Sequence, residues 1–244
     1  MDKAQAENIL DINKKTYDLI AEDFSNTRGR IWPEMKALVR QYVKEGYRVF
    51  DVGCGNGRLA EVLPKVNYLG IDNSKGLIDQ AKKSGRKGYF LVGDALELDK
   101  LKTDKFDAVF MFAVLNHIPS YELRQRVLQN VYEILSYGGY LVMTNWNLWR
   151  LGKGKNVWNC KIKKTKKQES KKTINLDFKD VMTLWQSGDG ERSGELYYRA
   201  LTKRELYKLF KRTGYKVIEN YYSDGEKKAH WWNGRNIVTV GKAS

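Results

Sequence analysis

The chain has 244 residues, of which 42% are hydrophobic and 12% aromatic, enough for one globular α/β domain with a substantial core. No apolar run approaches the roughly 20 residues that a membrane-spanning helix needs, and two cysteines, Cys54 and Cys160, argue against a disulfide framework or a four-ligand zinc site. The formal net charge of +15 indicates attraction to a polyanion, most often a nucleic acid, unless it serves only to keep the protein soluble.

The first part of the chain, residues 1–45, is predicted to be helical. Apolar residues recur at roughly helical spacing before Pro33 and again after it. The positions are Leu10, Tyr17 and Ile20, then Met35, Leu38, Val39 and Tyr42.

A glycine-rich turn follows the first predicted strand. The strand ends in Asp51-Val52, the glycines stand at Gly53, Gly55 and Gly57, and a helix is expected to begin near Arg58. A nucleotide-type ligand is expected at the carboxyl end of such a strand. The dinucleotide motif GxGxxG would need a glycine at position 58. Asp51 would repel a pyrophosphate, whereas it suits the ammonium and sulfonium cations of S-adenosylmethionine.

Two further predicted strands end in acids. Asp72 closes the strand that begins at Tyr68, about twenty residues after Asp51, where a carboxylate can accept hydrogen bonds from both ribose hydroxyls. Asp94 follows the strand that begins at Tyr89 and can accept a hydrogen bond from an adenine amino group. Three acids at this spacing together indicate one cofactor site.

The remaining elements alternate between strand and helix. The helix from Val127 is expected to end at Gly138-Gly139, and a later one to begin with Thr202 and Glu205 as a capping box and to end at Gly214. The predicted strands are 106–112, 140–144 and a terminal hairpin of 215–222 with 236–240.

A basic insertion is predicted at residues 150–175, as a loop between the fifth strand and the next helix. Ten Lys or Arg residues and one acid, Glu169, lie between Arg150 and Lys172. Lysines bind phosphates as point charges without sequence discrimination. We therefore predict phosphate contacts from Lys161, Lys163 and Lys164, the alternative being a plain solvated loop.

Several segments together resemble one family. The cofactor motifs resemble those of class I S-adenosylmethionine-dependent methyltransferases, and the other segments resemble the tRNA wobble-uridine carboxymethyl methyltransferases, which esterify the carboxylate of 5-carboxymethyluridine. The segments are Asp51–Gly57, Asp72, Asp94, Tyr17–Ala21, Phe24–Arg28, Trp32-Pro33, Ala113–His117, Asp180-Val181 with Trp185, and Leu196–Arg199.

The resemblance implies a fold, a cofactor and partners. The fold would be a Rossmann-like seven-stranded sheet, mostly parallel with an antiparallel last strand, in a single domain over residues 1–244 whose helical segment 1–45 caps the cofactor site. Members use tRNA as substrate, and eukaryotic ones work with a small zinc-binding activator subunit. The implied S-adenosylmethionine contacts are Asp51, Gly53, Cys54, Gly55, Asp72, Asn73, Asp94, Ala95 and Phe112.

The acceptor chemistry needs few catalytic groups. A carboxylate is already ionised at neutral pH, so methyl transfer to it requires alignment rather than a general base. Arg28 and Arg199 are candidates to hold the carboxylate, and His117 to orient it; the alternatives are surface charge and a helix cap. Aromatic residues that can stack on a splayed base, or simply belong to the core, are Trp32, Trp146 and Trp185.

Two other functions stay open. A methyltransferase for a small carboxylate or hydroxyl acceptor is supported by departures from the family pattern at Asn116, Leu184 and Arg199, but does not need the +15 charge. A non-catalytic RNA-binding module would have no use for Asp51, Asp72 and Asp94 together. The chain does not open on a basic-then-apolar leader, so a cytoplasmic location without membrane attachment is expected.

Overall fold

The protein is built on a central sheet of eight strands with a separate two-stranded hairpin beside it. The structure is a computed structural model that describes residues 1–28, 31–151, 156–157 and 176–244. The strands are β1 (Arg48–Val52), β2 (Asn67–Asp72), β3 (Tyr89–Val92), β4 (Phe106–Phe112), β5 (Leu135–Trp146), β6 (Asp180–Gln186), β7 (Ser193–Arg199), β8 (Lys216–Ser223), β9 (Lys228–Ala229) and β10 (Asn236–Lys242).

The strand order of the large sheet is β3-β2-β1-β4-β5-β10-β8-β9. Strands β1 to β5 pair in parallel, and β10 lies antiparallel between β5 and β8. This confirms the predicted fold class, with an antiparallel last strand. The sheet has eight strands rather than the predicted seven, because the turn at Asp224 leads the chain back so that β9 adds two residues to the edge of β8.

Helices cover both faces of the sheet. The helices are α1 (Lys3–Leu19), α2 (Ala21–Thr27), α3 (Pro33–Tyr42), α4 (Lys75–Lys83), α5 (Tyr121–Ile134) and α6 (Lys203–Arg212). The predicted capping box of α6 is present, since the Thr202 hydroxyl accepts a hydrogen bond from the Glu205 amide and the Glu205 carboxylate accepts one from the Thr202 amide. None of the helices in the described ranges is long and apolar enough to cross a membrane.

The strands bury alternate side chains on opposite faces. Val49 and Phe110 join one core with α3 and α4, while Phe50 and Met111 join the other core with α5 and α6. Because both faces of the sheet are covered at its centre, β1 and β4 carry buried apolar side chains on both sides.

One predicted helix is shorter and of another type, and one predicted helix end was wrong. The helix expected from Arg58 is a single 3-10 turn, Arg58–Glu61, because Pro64 cannot continue a helix and β2 begins at Asn67. Helix α5 ends at Ile134, before the predicted Gly138-Gly139, and β5 starts at once. A Cβ on Gly139 would lie 3.0 Å from the Asp107 carbonyl oxygen, so this glycine permits close strand pairing instead of ending a helix.

The β6–β7 hairpin was not predicted as an element. It is held to α1 by the Thr16 hydroxyl, which donates to the Glu195 carbonyl (2.7 Å), and by the Tyr197 amide, which donates to the Asn13 side chain (2.8 Å). Helix α1 and the hairpin thus form a layer beside the carboxyl edge of the sheet. Most of the predicted basic insertion, including Lys161, Lys163 and Lys164, lies outside the described residues.

Candidate active site

A cavity opens at the carboxyl ends of β1, β2 and β4, with α1, α2 and α3 above it. The structure brings all nine predicted cofactor residues to its wall. They are Asp51, Gly53, Cys54, Gly55, Asp72, Asn73, Asp94, Ala95 and Phe112. The predicted acceptor-side residues Arg28, Trp32, His117 and Trp146 line the same cavity.

The glycine turn lets backbone approach the cavity closely. Gly53 has a φ of +72°, and a Cβ there would lie 2.4 Å from Val114 Cγ2. Gly57 has a φ of +76°, and a Cβ there would lie 2.4 Å from the ring of Phe90. Both the backbone conformation and the lack of space therefore require glycine.

Asp72 is held by the turn that it faces. One carboxylate oxygen accepts a hydrogen bond from the Gly55 amide and the other from the Ser74 amide, each at 2.9 Å. Burial raises the pKa of Asp72 to about 6, although these two hydrogen bonds act to lower it. Each oxygen keeps a lone pair for a further donor, which fits a pair of ribose hydroxyls.

Asp51 is a buried carboxylate in the cavity wall. It is 3% exposed and accepts a hydrogen bond of 2.9 Å from the Tyr68 hydroxyl. Burial raises the pKa of Asp51 to about 7. A buried, incompletely compensated carboxylate is stabilised by a cation placed beside it, which fits the ammonium and sulfonium of S-adenosylmethionine.

The other predicted cofactor residues complete the wall. One oxygen of Asp94 accepts from the Leu96 amide at 2.8 Å, so the side chain has a fixed orientation at the end of β3. Burial raises the pKa of the Cys54 thiol well above its usual value. A neutral buried thiol is a poor nucleophile, which agrees with a purely backbone role for Cys54.

His117 is locked by two neighbours. Its Nδ1 lies 2.9 Å from the Tyr197 carbonyl oxygen and its Nε2 lies 3.0 Å from the Tyr17 hydroxyl. Because a carbonyl only accepts, Nδ1 carries the proton, and in the neutral ring Nε2 accepts from the Tyr17 hydroxyl. Burial raises the pKa of Tyr17 well above its usual value, so the hydroxyl keeps its proton.

A second space, which we name the outer groove, adjoins the cavity. Its lining includes Asn147, Arg150, Asp224, Glu226 and Arg235. The three side chains Arg28, Trp32 and Trp146 line both spaces. The Arg28 guanidinium lies 5.5 Å from the centre of the Phe24 ring, and Trp146 stacks on Tyr198 with centroids 5.2 Å apart. The predicted acceptor-side aromatics are therefore packed on one side while they face the cavity on another.

Arg199 is not brought to this cavity. Its guanidinium donates to Asp177 (2.8 Å) and Asp180 (3.0 Å) and lies 3.7 Å from Glu205. Side chains alternate along β7, so Tyr198 packs on the cavity residues His117 and Trp146 while Arg199 points the other way. This position does not support the predicted grip of Arg199 on an acceptor carboxylate.

Two other acceptor-side positions are also structural. Asn116 is 1% exposed, and its side chain accepts from the Trp146 amide and donates to the Arg199 carbonyl, which joins β5 to the hairpin. Trp185 packs against the hairpin core and is absent from the described lining of the cavity.

Arg58 was missed as a site residue. It lines the cavity, is 9% exposed, and has an Nη1 atom without a hydrogen-bond partner among the described residues. Burial, together with the nearby charge of Arg28, lowers the pKa of Arg58 to about 10. The available signal was a cation directly after the glycine turn, where the dinucleotide motif has its third glycine.

Comparisons with known proteins agree with this site. Residues 43–214 match the family described as "Methyltransferase domain". A tRNA (carboxymethyluridine(34)-5-O)-methyltransferase of Saccharomyces cerevisiae is 36% identical over 137 residues, which are 55% of this chain and 47% of that protein. The enzyme of the same name from Schizosaccharomyces pombe is 24% identical over 238 residues, 89% of this chain and 92% of that protein.

Solved structures share the fold. An S-adenosylmethionine-dependent methyltransferase from Clostridium acetobutylicum aligns with a TM-score of 0.66 at 17% identity, over 93% of this chain and 99% of that one. A putative methyltransferase of Haloferax volcanii, solved with the Trm112 methyltransferase activator, aligns with a TM-score of 0.63 at 18% identity, over 94% and 96%.

The family match confirms the predicted enzyme class, a methyltransferase, and with it the predicted cofactor, S-adenosylmethionine. The chain spans about half the length of the Saccharomyces relative, or 47%.

Proposed function

Because this chain belongs to the methyltransferase domain family, we propose that it methylates tRNA, by esterifying the carboxylate of 5-carboxymethyluridine at the wobble position. The two fungal relatives carry this activity in their names. The +15 charge of the chain suits an RNA substrate.

The cofactor end of the cavity positions the donor. When bound, S-adenosylmethionine would supply an electrophilic methyl group, so that an acceptor carboxylate oxygen would form the new O–C bond while the C–S bond breaks and its electron pair stays on sulfur. Asp51 would place a negative charge beside the donor, and Asp72 would accept hydrogen bonds from its ribose. The glycine turn would bring backbone against the ligand and exclude water.

The acceptor end fits a carboxylate. Among the described residues no carboxylate forms an ion pair with Arg28, whereas both ring nitrogens of His117 are already engaged. Arg28 can therefore bind an anionic acceptor with two hydrogen bonds. A hydroxyl or amine acceptor would need a base to remove its proton, and His117 in the cavity wall has both ring nitrogens engaged. This pairing of an available arginine with an engaged histidine is the observation that carries the proposal.

The test compares matched tRNA acceptors. The purified protein is given S-adenosylmethionine with tRNA bearing 5-carboxymethyluridine and with the same tRNA bearing uridine. We expect transfer only to the first, and a loss of about 100-fold in kcat/KM for Arg28→Ala, because a charge-assisted bidentate contact contributes roughly 3 kcal/mol. Equal transfer to both tRNAs would contradict the proposal, and transfer only to small carboxylic acids would establish the alternative function.

We also propose a small zinc-binding activator subunit as partner, on the free edge of β3. In the described part of the sheet β3 pairs with β2 only, and three of its four side chains are largely exposed: Tyr89 (78%), Leu91 (46%) and Val92 (54%). An uncovered apolar edge strand is a natural site for strand addition. The Haloferax relative is described in complex with Trm112.

The activator proposal predicts a physical complex. The wild-type protein, co-expressed with a Trm112-type subunit, should co-purify with it. The variant Leu91→Lys, which places a charge in the edge, should abolish co-purification and leave S-adenosylmethionine binding unchanged. Co-purification of this variant at wild-type yield would contradict the activator proposal.

We also propose a cytoplasmic location, which follows from a tRNA substrate and the low cysteine content.

A further inference from the structure

An exposed aromatic loop lies beside the outer groove. It joins β9 to β10 and carries His230, Trp231 and Trp232, which we name the aromatic cluster. Trp231 is 48% exposed and Trp232 is 43% exposed. Large rings left in solvent next to one another mark a binding surface rather than a core.

The rings of the aromatic cluster contact one another. His230 lies parallel to Trp232, with centroids 4.3 Å apart and an angle of 1° between the planes. Trp231 stands perpendicular to Trp232, with centroids 5.9 Å apart. The rings support each other in one arrangement, so a base that stacks on them does not first have to order three separate side chains.

The backbone of the loop is fixed to the wall of the groove. The Asn147 side chain donates to the carbonyls of Trp231 (2.7 Å) and Gly234 (2.9 Å). The Leu151 amide donates to the Trp232 carbonyl at 2.9 Å. Asn147 is 1% exposed and lines the outer groove, so the aromatic cluster has a set position relative to that groove.

The outer groove adjoins the cofactor cavity, and Asn147 in its lining holds the loop that carries the aromatic cluster. Arg28, Trp32 and Trp146 line both spaces, and Arg150 and Arg235 line the outer part of the groove. Two acids, Asp224 and Glu226, also line it, so the three arginines leave the groove with a net positive charge of one. Cationic grooves flanked by aromatic rings are typical of proteins that bind single-stranded nucleic acid.

We propose that the aromatic cluster binds, by stacking, the base of an unpaired nucleotide that neighbours the one whose acceptor enters the cavity. The inference rests on the proposed function and adds the surface that holds the RNA beyond its target nucleoside. The occupant is a single-stranded segment of RNA, as in the loop of a hairpin, whose splayed bases are available for stacking.

The first experiment measures binding without chemistry. Fluorescence anisotropy follows a labelled, unmodified anticodon stem-loop on the full chain saturated with S-adenosylhomocysteine, over a range of salt concentrations. Trp231→Ala and Trp232→Ala should each weaken binding about tenfold at every salt concentration, as expected for one stacked base. The salt slope should not change, because stacking releases no counterions. Trp232→Phe should restore most of the affinity.

A matched control separates the aromatic cluster from exposed rings in general. Tyr137 is 92% exposed and lies near the start of β5, whereas Trp146 at the other end of that strand lines the groove. Tyr137→Ala should leave RNA affinity unchanged. Calorimetry with S-adenosylhomocysteine shows whether each tryptophan variant is folded.

The second experiment keeps the two proposals apart. Methyl transfer is measured to the stem-loop with 5-carboxymethyluridine and to the free nucleoside. The tryptophan variants should raise KM for the stem-loop and leave transfer to the nucleoside unchanged.

Unchanged RNA affinity in both alanine variants would overturn the stacking site, while methyl transfer by the wild-type protein would still support the proposed function. Absence of transfer by the wild type would overturn the proposed function, and the anisotropy series would still decide on stacking. Loss of activator binding in place of RNA binding would overturn stacking and make the loop a protein interface.

Discussion

The guanidinium of Arg58 lies 4.0 Å from the centre of the Trp32 ring. This contact joins the turn after β1 to the start of α3, at the point where the cavity opens into the outer groove. Arg58 is also electrostatically coupled to Asp51, whose pKa its charge lowers. One side chain thus influences both the ionisation of the cofactor site and the position of an aromatic residue on the acceptor side.

Cofactor affinity should depend on pH through Asp51. The ionised carboxylate attracts the cationic donor, so affinity should rise as pH increases through about 7 and level off above. Asp72, with a pKa of about 6, should add to the loss at lower pH. Calorimetric titration with S-adenosylmethionine between pH 5.5 and 8.5, roughly the range spanned by these groups, checks this. Asp51→Asn should remove the step near pH 7, and a pH-independent affinity in the wild type would contradict the assignment.

Arg58 should set the midpoint of that pH dependence. Arg58→Met keeps the length of the side chain but removes its charge, so the pKa of Asp51 should rise and the midpoint of cofactor binding should move to higher pH. Arg58→Lys keeps the charge and should leave the midpoint near its wild-type position. Identical midpoints in the two variants would show that the charge of Arg58 does not act on Asp51.

Asp51 should lower the stability of the ligand-free protein at high pH. Its pKa is raised in the folded state, so folding favours the protonated form, and stability falls as pH rises from about 4 to about 7. Asp51→Asn keeps an acceptor for the Tyr68 hydroxyl and should raise the unfolding free energy on the order of 2 kcal/mol at pH 8, with little change at pH 4. Thermal unfolding without ligand measures this, and equal destabilisation at both pH values would be the contrary result.

Arg199 should contribute to the stability of the fold, whereas Arg28 should contribute to methyl transfer. Arg199→Ala leaves the 4% exposed Asp180 without its charged partner and should reduce the unfolding free energy by about 3 kcal/mol. The same change at Arg28 should leave stability nearly unchanged and abolish most methyl transfer. Denaturant unfolding measures the unfolding free energy of both variants, and initial rates measure their methyl transfer. A fully stable but inactive Arg199→Ala protein would restore the acceptor role predicted from the sequence.

The glycine turn should tolerate no side chain at Gly53. Gly53→Ala combines a positive φ with a clash against Val114, and should lower both stability and cofactor affinity. Gly85→Ala is the matched control, since Gly85 has a φ of +69° and no atom within 4 Å of the added Cβ. It should cost only the backbone strain, about 1 kcal/mol, and keep cofactor affinity. Equal effects at the two sites would mean that space at Gly53 is not limiting.

The cofactor half of the site could be predicted from the sequence because its signals are local. Asp51, Asp72 and Asp94 each stand at or just beyond the carboxyl end of a short apolar strand, and parallel strands bring these ends to one edge. Arg199 was misplaced because its direction depends on the register of the β6–β7 hairpin, which is set by packing against α1. Arg58 was predicted only as the first residue of a helix. Its place in the cavity could not be predicted, because its burial beside Trp32 depends on a contact between distant segments.

The most direct test uses methyl-labelled S-adenosylmethionine with tRNA bearing 5-carboxymethyluridine, followed by mild base treatment of the labelled tRNA. An ester releases its methyl group under these conditions, whereas methyl groups on nitrogen, carbon or ribose oxygen stay in place. We predict that the label enters the tRNA and is released by base. Label that resists base, or no transfer by protein that binds the cofactor and its activator, would contradict esterification of the wobble uridine.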